Sequence, residues 1–431
     1  MLVFLIFLVN YVPLTRDFLY HDDYQFYLLS GENCFNRSVA IRMISLGRPI
    51  TNAYLCGIFE ILPNLDFTNE MRIISFIWLI ITFLSFRRFL LNQNFKNFTS
   101  TTVSYLIIIS PGFLISISWL TLSYAAFATM LVTLAALYAQ NSSINLRNFV
   151  LVYFILTVSV FTNIPSNLFF LVFIAILLNS KVNSFSSREK TRVFILFILP
   201  LIFSFISFIL AKKYLLPDYK NIIETERTPI TSIQELEENI LNIFHNYEQI
   251  LSIWFALNDR YQIIAAQIVI VIIIVGLLFS LYSLKNLKTI MIYSVCMIFS
   301  LSILLISNYG NFTTRVLIGT HALLILMLFE IISRSYCIKN RVMKIIFTSA
   351  LILIISLQSH ILQTNSTLSR VKEFNSFRNI DSNDLKFLDG LRLKFLPLPQ
   401  HYRYDEFGPI TSNYDFDYDR MLTVIESNLT K

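Results

Sequence analysis

The chain has 431 residues, of which 55% are hydrophobic and 14% are charged, and its formal net charge is +7. Soluble globular domains carry about 25% charged residues, and the mean hydropathy of this chain is +0.63. The composition therefore excludes a soluble enzyme, a disordered chain, a fibrous protein and a disulfide scaffold. The basic excess lies in loops between apolar runs, where it reports membrane topology rather than a nucleic-acid partner.

Apolar runs that are long enough to cross a bilayer follow one another along most of the chain. A spanning helix needs about 17–25 apolar residues, with some tilt allowed. The pattern predicts an all-α polytopic membrane protein with about eleven transmembrane helices, in a range of nine to twelve. The runs cover residues 1–14, 70–86, 102–119, 122–139, 148–163, 165–180, 193–211, 261–283, 289–307, 313–333 and 343–358.

The distribution of charge predicts the orientation of these spans. With a cytoplasmic N-terminus, the short cytoplasmic loops hold fourteen basic residues and one acid, Glu189. The other side then receives a first outer loop (15–69), a middle outer loop (212–260) and a C-terminal region (359–431), in which acids outnumber bases. This asymmetry satisfies the positive-inside rule. We expect a membrane domain over 1–358 and a periplasmic C-terminal region in a bacterial inner membrane.

A short helix is predicted inside the first outer loop, over Pro49–Leu62. Ile50, Tyr54 and Ile58 fall close to one helical stripe, and Pro49 suits a first helical turn. Thirteen or fourteen residues give a helix of about 20 Å, which is shorter than the bilayer core of about 30 Å. We expect this helix to lie along the outer membrane surface.

Two adjacent carboxylates, Asp22 and Asp23, follow the first apolar run. Acids so close to lipid are costly unless they are paired or have a function. They are candidates for a general base or a metal ligand at the membrane surface. An ordinary solvated loop start, whose acids enforce topology, explains the same pattern, and both interpretations stay open.

Four basic residues on the outer side are candidates for phosphate binding. Arg48 lies between Gly47 and Pro49, at the start of the short helix, where its guanidinium could be held for a bidentate contact. Arg315 lies at the outer end of the tenth run, and Lys212 and Lys213 end the seventh. Snorkelling to lipid headgroups is the alternative for each of them.

Aromatic residues near the predicted outer interfaces are weaker candidates for sugar binding. Aromatic rings there stack on sugars but also form the ordinary interfacial belt. These candidates are Trp119, Tyr124, Trp254 and Tyr309, together with His321, which lies about two turns deeper than Arg315. Cys34 and Cys56 share the first outer loop, so an oxidising compartment could join them.

The acidic pair, followed by Gly47-Arg48-Pro49 and a surface helix, resembles the opening of the Gtr-type glucosyltransferase II family. These are serotype-converting O-antigen glucosyltransferases, and they are similar in plan to the GT-C glycosyltransferases. The resemblance is most specific over 22–50 and extends in layout over the membrane domain.

The resemblance implies an inverting membrane glucosyltransferase with a GT-C-like bundle. Its donor would be undecaprenyl-phosphate-glucose in the outer leaflet, and its acceptor a hydroxyl of lipid-linked O-antigen, so that transfer changes the serotype. Asp22 first and Asp23 second would take the acceptor proton, and Arg48 with Arg315 would neutralise the departing phosphate. Lys212 and Lys213 are further phosphate partners. No cofactor is required by the pattern, and a divalent metal stays open.

Two other activities compete with this interpretation. An O-antigen polymerase or ligase is also a multispan protein with outer arginines, but the acidic first loop favours a transferase. A flippase or transporter of lipid-linked glycans needs a charged path within its spans and usually two related halves. Charges within the predicted spans are few and no repeat is visible, so this alternative ranks lower.

Overall fold

The structure is a computed structural model, and it describes most of the chain. All regular elements in this part are helices. The described residues are 2–19, 23, 48–61, 67–141, 146–179, 187–214, 232–255, 259–280, 284–306, 316–334 and 341–378.

The first half of the chain contributes the helices that form most of the packed core. These are α1 (Leu2–Val9), α2 (Tyr11–Thr15), α3 (Pro49–Ile61), α4 (Thr68–Asn92), α5 (Asn97–Ile108), α6 (Pro111–Ser118), α7 (Ser123–Asn141), α8 (Leu146–Thr162), α9 (Ile164–Asn167) and α10 (Phe170–Asn179). A 3₁₀ turn, Leu120–Leu122, joins α6 to α7.

The chain from residue 187 onward adds further helices, the last of which is long. These are α11 (Ser187–Tyr214), α12 (Ile233–His245), α13 (Tyr247–Leu251), α14 (Asp259–Ser280), α15 (Leu284–Ser300), α16 (Ser302–Ile306), α17 (Ile318–Arg334) and α18 (Arg341–Arg378). A second 3₁₀ turn, Ile253–Phe255, lies between α13 and α14.

The apolar helices confirm the all-α polytopic fold class. Within the described residues, the segments 68–92 and 120–140 are each long and apolar enough to cross a membrane. The pair α5 and α6 raises this number to three if both helices form one span, and several apolar helices of 10–17 residues accompany them. The total of about eleven spans stays a prediction.

Proline explains why the predicted run 102–119 is divided into two helices. α5 ends at Ile108 and α6 begins at Pro111, with a bend of 55° between them. Pro111 lacks an N–H group, its ring clashes with the preceding turn, and it disfavours helical geometry at Ser110. The bend carries α6 towards the turn that precedes α7.

The long helix α18 extends well beyond the predicted run 343–358. Its 38 residues span about 57 Å at 1.5 Å per residue. Gln363 donates from Nε2 to Asn10 Oδ1 (2.9 Å) and to the Leu114 carbonyl (3.0 Å), which ties α18 to α2 and α6. The helix passes continuously through 358 and 359, and the division of the chain there stays a prediction.

Phenylalanine side chains pack the centre of the bundle. Phe173 of α10 meets Phe89 at 4.8 Å and Phe86 and Phe169 at 5.5 Å between ring centroids, all edge to face. Such pairs contribute roughly 0.5–1.5 kcal/mol each beyond the area they bury. They hold α4 against α10, because packing rather than the hydrophobic effect drives helix association in lipid.

The bundle has two distinct ends, which α4 and α7 define. These helices pack side by side and run in the same direction, with Asn92 Nδ2 donating to Gln140 Oε1 at 3.1 Å near their C-termini. We call the end of the bundle that holds the C-termini of α4 and α7 the Arg87 end. The opposite end, which holds the N-terminal turns of α4 and α7, is called the Tyr124 end.

The short helix predicted over 49–62 is present as α3 and packs at the Tyr124 end. Thr51 Oγ1 donates to the carbonyl of Thr162, the last residue of α8. Trp78 Nε1 donates to Tyr54 Oη at 3.1 Å, and the Tyr54 ring stacks on Phe127 at 5.1 Å. α3 is therefore bound to α4, α7 and α8, and its orientation to the membrane surface stays a prediction.

A disulfide bond further restrains α3. Cys56 is buried and disulfide-bonded, its partner lies outside the described residues, and Cys296 is a free, buried thiol. Of the two remaining cysteines, Cys34 shares the first outer loop with Cys56, whereas Cys337 falls in a predicted cytoplasmic loop.

We predict that Cys34 is the partner of Cys56. Maleimide labelling of denatured, unreduced protein, followed by intact mass measurement, should find one more reactive thiol in Cys34→Ser than in the unmodified chain. Cys337→Ser should lose one thiol instead. An additional thiol in Cys337→Ser would contradict the assignment.

Candidate functional site

The turn between α6 and α7 receives the second acid of the predicted pair. The carboxylate of Asp23 is fully buried and accepts hydrogen bonds from the main-chain N–H groups of Thr121 (2.7 Å) and Leu120 (3.3 Å). These N–H groups open a 3₁₀ turn that leads into α7, where no preceding turn supplies acceptors. A carboxylate suits this position because it both satisfies the donors and complements the helix dipole.

Arg48 reaches the first turn of α7, which directly follows this 3₁₀ turn. It immediately precedes α3 and donates from Nη1 to the Tyr124 hydroxyl at 3.0 Å. Its guanidinium carbon lies 5.8 Å from the centroid of the Tyr124 ring, within reach of a cation–π contact. Because α3 is packed against α7 and α8, the start of α3 holds Arg48 beside the first turn of α7.

Four candidate residues from the sequence therefore come together at one segment, 119–124: Trp119 and Tyr124 belong to it, and Asp23 and Arg48 bind to it. Asp23 binds its main chain, Arg48 binds Tyr124, and Trp119 directly precedes the amides that Asp23 accepts from. Trp119 is 6% exposed and Tyr124 7% exposed, so both rings are packed within the protein. A ligand would reach these rings only if neighbouring side chains moved, whereas Arg48 is partly exposed.

The structure gives the positions of some of the other candidate residues. His321 is fully buried in the first turn of α17, and its main-chain N–H donates to the Leu317 carbonyl. Trp254 is half-buried in the second 3₁₀ turn and packs against the apolar core.

Lys212 and Lys213 belong to the last turn of α11, and their side chains are not described. Asp22, Arg315 and Tyr309 lie outside the described residues.

Arg72 is a buried cation at the Tyr124 end that sequence reasoning missed. It lies in the second turn of α4, is fully buried, and donates from Nη2 to the Phe18 carbonyl at 2.5 Å. Its guanidinium carbon stands 3.6 Å from the centroid of the Phe18 ring. Arg72 falls inside the predicted span 70–86. The one sequence signal for a functional or structural role is the presence of a charged residue close to the start of this apolar run.

Asp17 completes this arrangement by capping α4. Its Oδ1 accepts from the Asn69 main-chain N–H (3.0 Å) and from the Thr68 hydroxyl (3.1 Å). The Phe18 N–H in turn donates to Thr68 Oγ1 at 3.0 Å. The segment that leads to the acidic pair is therefore fixed on the N-terminus of α4.

The described residues contain no group of three or more His, Cys, Asp or Glu side chains placed to hold a metal ion. The requirement for a divalent metal stays open.

No protein-family model and no curated protein matches the chain. Among solved structures, the crystal structure of an oligosaccharyltransferase from Archaeoglobus fulgidus, tethered to an acceptor peptide through a disulfide bond, is similar at 14% identity and a TM-score of 0.41. The similarity covers 98% of this chain and 62% of the length of that one.

We predict that Asp23→Ala destabilises the protein by about 1–3 kcal/mol, because two buried N–H groups lose their acceptor. Asp23→Asn retains one acceptor oxygen and should cost less. Glu60→Ala, which removes an exposed acid from α3, should stay within about 0.5 kcal/mol of the parent. Unfolding followed in detergent measures all three variants, and equal stability of Asp23→Ala and Glu60→Ala would contradict the capping role.

We also predict that Arg72→Met destabilises the protein by about 2 kcal/mol, since a charge-assisted hydrogen bond to the Phe18 carbonyl is lost. Arg16→Ala is the matched control, because Arg16 is exposed and lies two residues before Phe18. The same unfolding measurement applies. A parent-like Arg72→Met would show that this buried cation does not hold the segment in place.

Proposed function

We propose that this protein is a membrane glycosyltransferase that uses a lipid-phosphate sugar donor. In the finer form of the proposal, it transfers glucose from undecaprenyl-phosphate-glucose to a hydroxyl of lipid-linked O-antigen on the periplasmic side. The observation that carries the proposal is that Asp23 and Arg48, both within the stretch that resembles the Gtr-type family, bind the same short segment, 119–124.

The spacing of these two anchors supports joint action. Asp23 binds the main chain at Thr121, and Arg48 binds the side chain of Tyr124, three residues later. The acidic and the basic group therefore have their anchors three residues apart, where the 3₁₀ turn leads into α7. Glycosyl transfer from a phosphate needs this combination, because a proton must leave the acceptor while negative charge develops on the leaving group.

The contacts of Asp23 suggest a division of roles within the acidic pair. Both oxygens of Asp23 accept main-chain hydrogen bonds, which stabilise the ionised carboxylate and fix its position. We assign the role of general base to Asp22 and a positioning role to Asp23, which holds the loop that carries Asp22. Asp23 acting as the base itself is the second choice.

The proposed reaction is a single displacement. The Asp22 carboxylate takes the proton of the acceptor hydroxyl while the hydroxyl oxygen attacks the anomeric carbon of the donor. The bond from that carbon to the phosphate oxygen breaks on the opposite face, so the configuration inverts. The polyprenyl phosphate departs as an anion, and Arg48 together with Arg315 stabilises the charge; Lys212 and Lys213 are further partners for it.

Variants expressed in a host that makes the donor test this proposal. Mass spectrometry of the O-antigen should find one added hexose per repeat with the parent protein. Asp22→Asn should reduce the addition by roughly 10²-fold or more, since general-base catalysis contributes about 10²–10⁴-fold. Arg48→Ala should also reduce it strongly, whereas Arg16→Ala, at an exposed arginine of the same end, should not.

Protein levels in the membrane must match for this comparison. Full hexose addition by both Asp22→Asn and Asp23→Asn would refute the catalytic assignment. A change in O-antigen chain length without added hexose would indicate polymerisation instead of glucosyl transfer.

A further inference from the structure

A cavity of about 640 Å³ opens at the Arg87 end, between α1, α4, α5 and α18. Its volume lies within the range of about 300–1,000 Å³ that is usual for ligand sites. Along α4, Arg87 lies fifteen positions after Arg72, which is near the other end, and this corresponds to a rise of about 22 Å. The cavity is therefore distinct from the Tyr124 end, where the proposed transfer chemistry lies.

The walls of this cavity are mostly apolar and incompletely covered. They include Phe83 and Leu84 of α4, Phe98 of α5 and Leu353 of α18. Leu84 is 48% exposed, Phe98 47% and Leu353 68%, although each faces a groove between packed helices. Such a surface suits a flexible hydrocarbon chain, which can follow an irregular groove and cover these side chains.

The polar rim of the cavity contains one fixed cation. Arg87 donates from Nε to Thr101 Oγ1 (2.9 Å) and from Nη2 to Asn97 Oδ1 (2.8 Å), and all three residues line the cavity. These two bonds fix the plane of the guanidinium against the first turns of α5. Within the described residues Nη1 makes no hydrogen bond, so donors remain for a ligand.

Charge complementarity identifies the ligand class. Arg87 is the one charged residue among the described residues that line the cavity. A planar guanidinium pairs well with phosphate, and basic sites between helices at the cytoplasmic side attract anionic headgroups. A ligand with a phosphate and an apolar chain satisfies both parts of the site.

We propose that this cavity binds an anionic phospholipid, with the phosphate on Arg87 and an acyl chain along Phe83, Leu84 and Leu353. A phospholipid fits better than a polyprenyl-phosphate sugar, because a sugar donor must reach the acids at the Tyr124 end. The proposal therefore stands independently of the transferase activity. It places a structural lipid in the cavity between α1, α4, α5 and α18.

Binding of phosphatidylglycerol to the delipidated full chain in detergent, measured by native mass spectrometry, tests the site. The parent protein should bind phosphatidylglycerol in preference to phosphatidylcholine. Arg87→Ala should bind it about tenfold more weakly, which corresponds to the loss of one charge-assisted hydrogen bond. Arg88→Ala is the matched control, since Arg88 is the exposed neighbour outside the cavity, and it should bind like the parent.

A second pair of variants tests the apolar part of the site and keeps the proposal falsifiable if Arg87→Ala does not fold. Leu84→Trp should fill the groove and lower phosphatidylglycerol binding, whereas Ile77→Trp, at an exposed α4 position outside the cavity, should not. Parent-like binding by Arg87→Ala or by Leu84→Trp would overturn the proposal. So would equal binding of phosphatidylcholine, or Arg87-dependent binding of undecaprenyl phosphate without binding of phosphatidylglycerol.

Discussion

Carboxylates from the segment after α2 satisfy the N-terminal amide groups of two separate helical segments. Asp17 accepts from the start of α4, and Asp23 accepts from the turn that opens α7. Helix N-termini leave donors that a low-dielectric environment makes costly to bury without partners. The first loop is thus attached to the bundle at two points six residues apart, and the acidic pair stands at the second of them.

This attachment decides what else gathers at the Tyr124 end. Phe18 lies between the two anchors, and its carbonyl and ring both contact Arg72. From the far side of the same loop, α3 carries Arg48 to Tyr124 and is itself restrained by the Cys56 disulfide. The Tyr124 end therefore holds two acids that accept from main-chain N–H groups and two arginines that donate to a hydroxyl and a carbonyl oxygen.

At the Arg87 end, a basic residue borders an apolar cavity. Arg87 is held by Thr101 and Asn97 above an apolar cavity, and the described part of that cavity contains no acid. α4 connects both ends, with Arg72 near its start and Arg87 near its end. This one helix therefore connects the region where we propose the transfer chemistry with the region where we propose lipid binding.

The sequence by itself determined the all-helical membrane class and the helix that begins at Pro49, because apolar run length and proline position are local properties. It also named Asp23, Arg48, Trp119 and Tyr124, but as separate candidates. Their meeting at the segment 119–124 joins residues about 75 to 100 positions apart, and hydropathy carries no information about such contacts. The tertiary structure alone decided that Asp23 caps a turn, that the ring of Trp119 is buried and that Arg72 belongs to this end. The reason is physical: a buried polar group is stabilised by the partner that the fold brings to it, and that partner is set by how the helices pack.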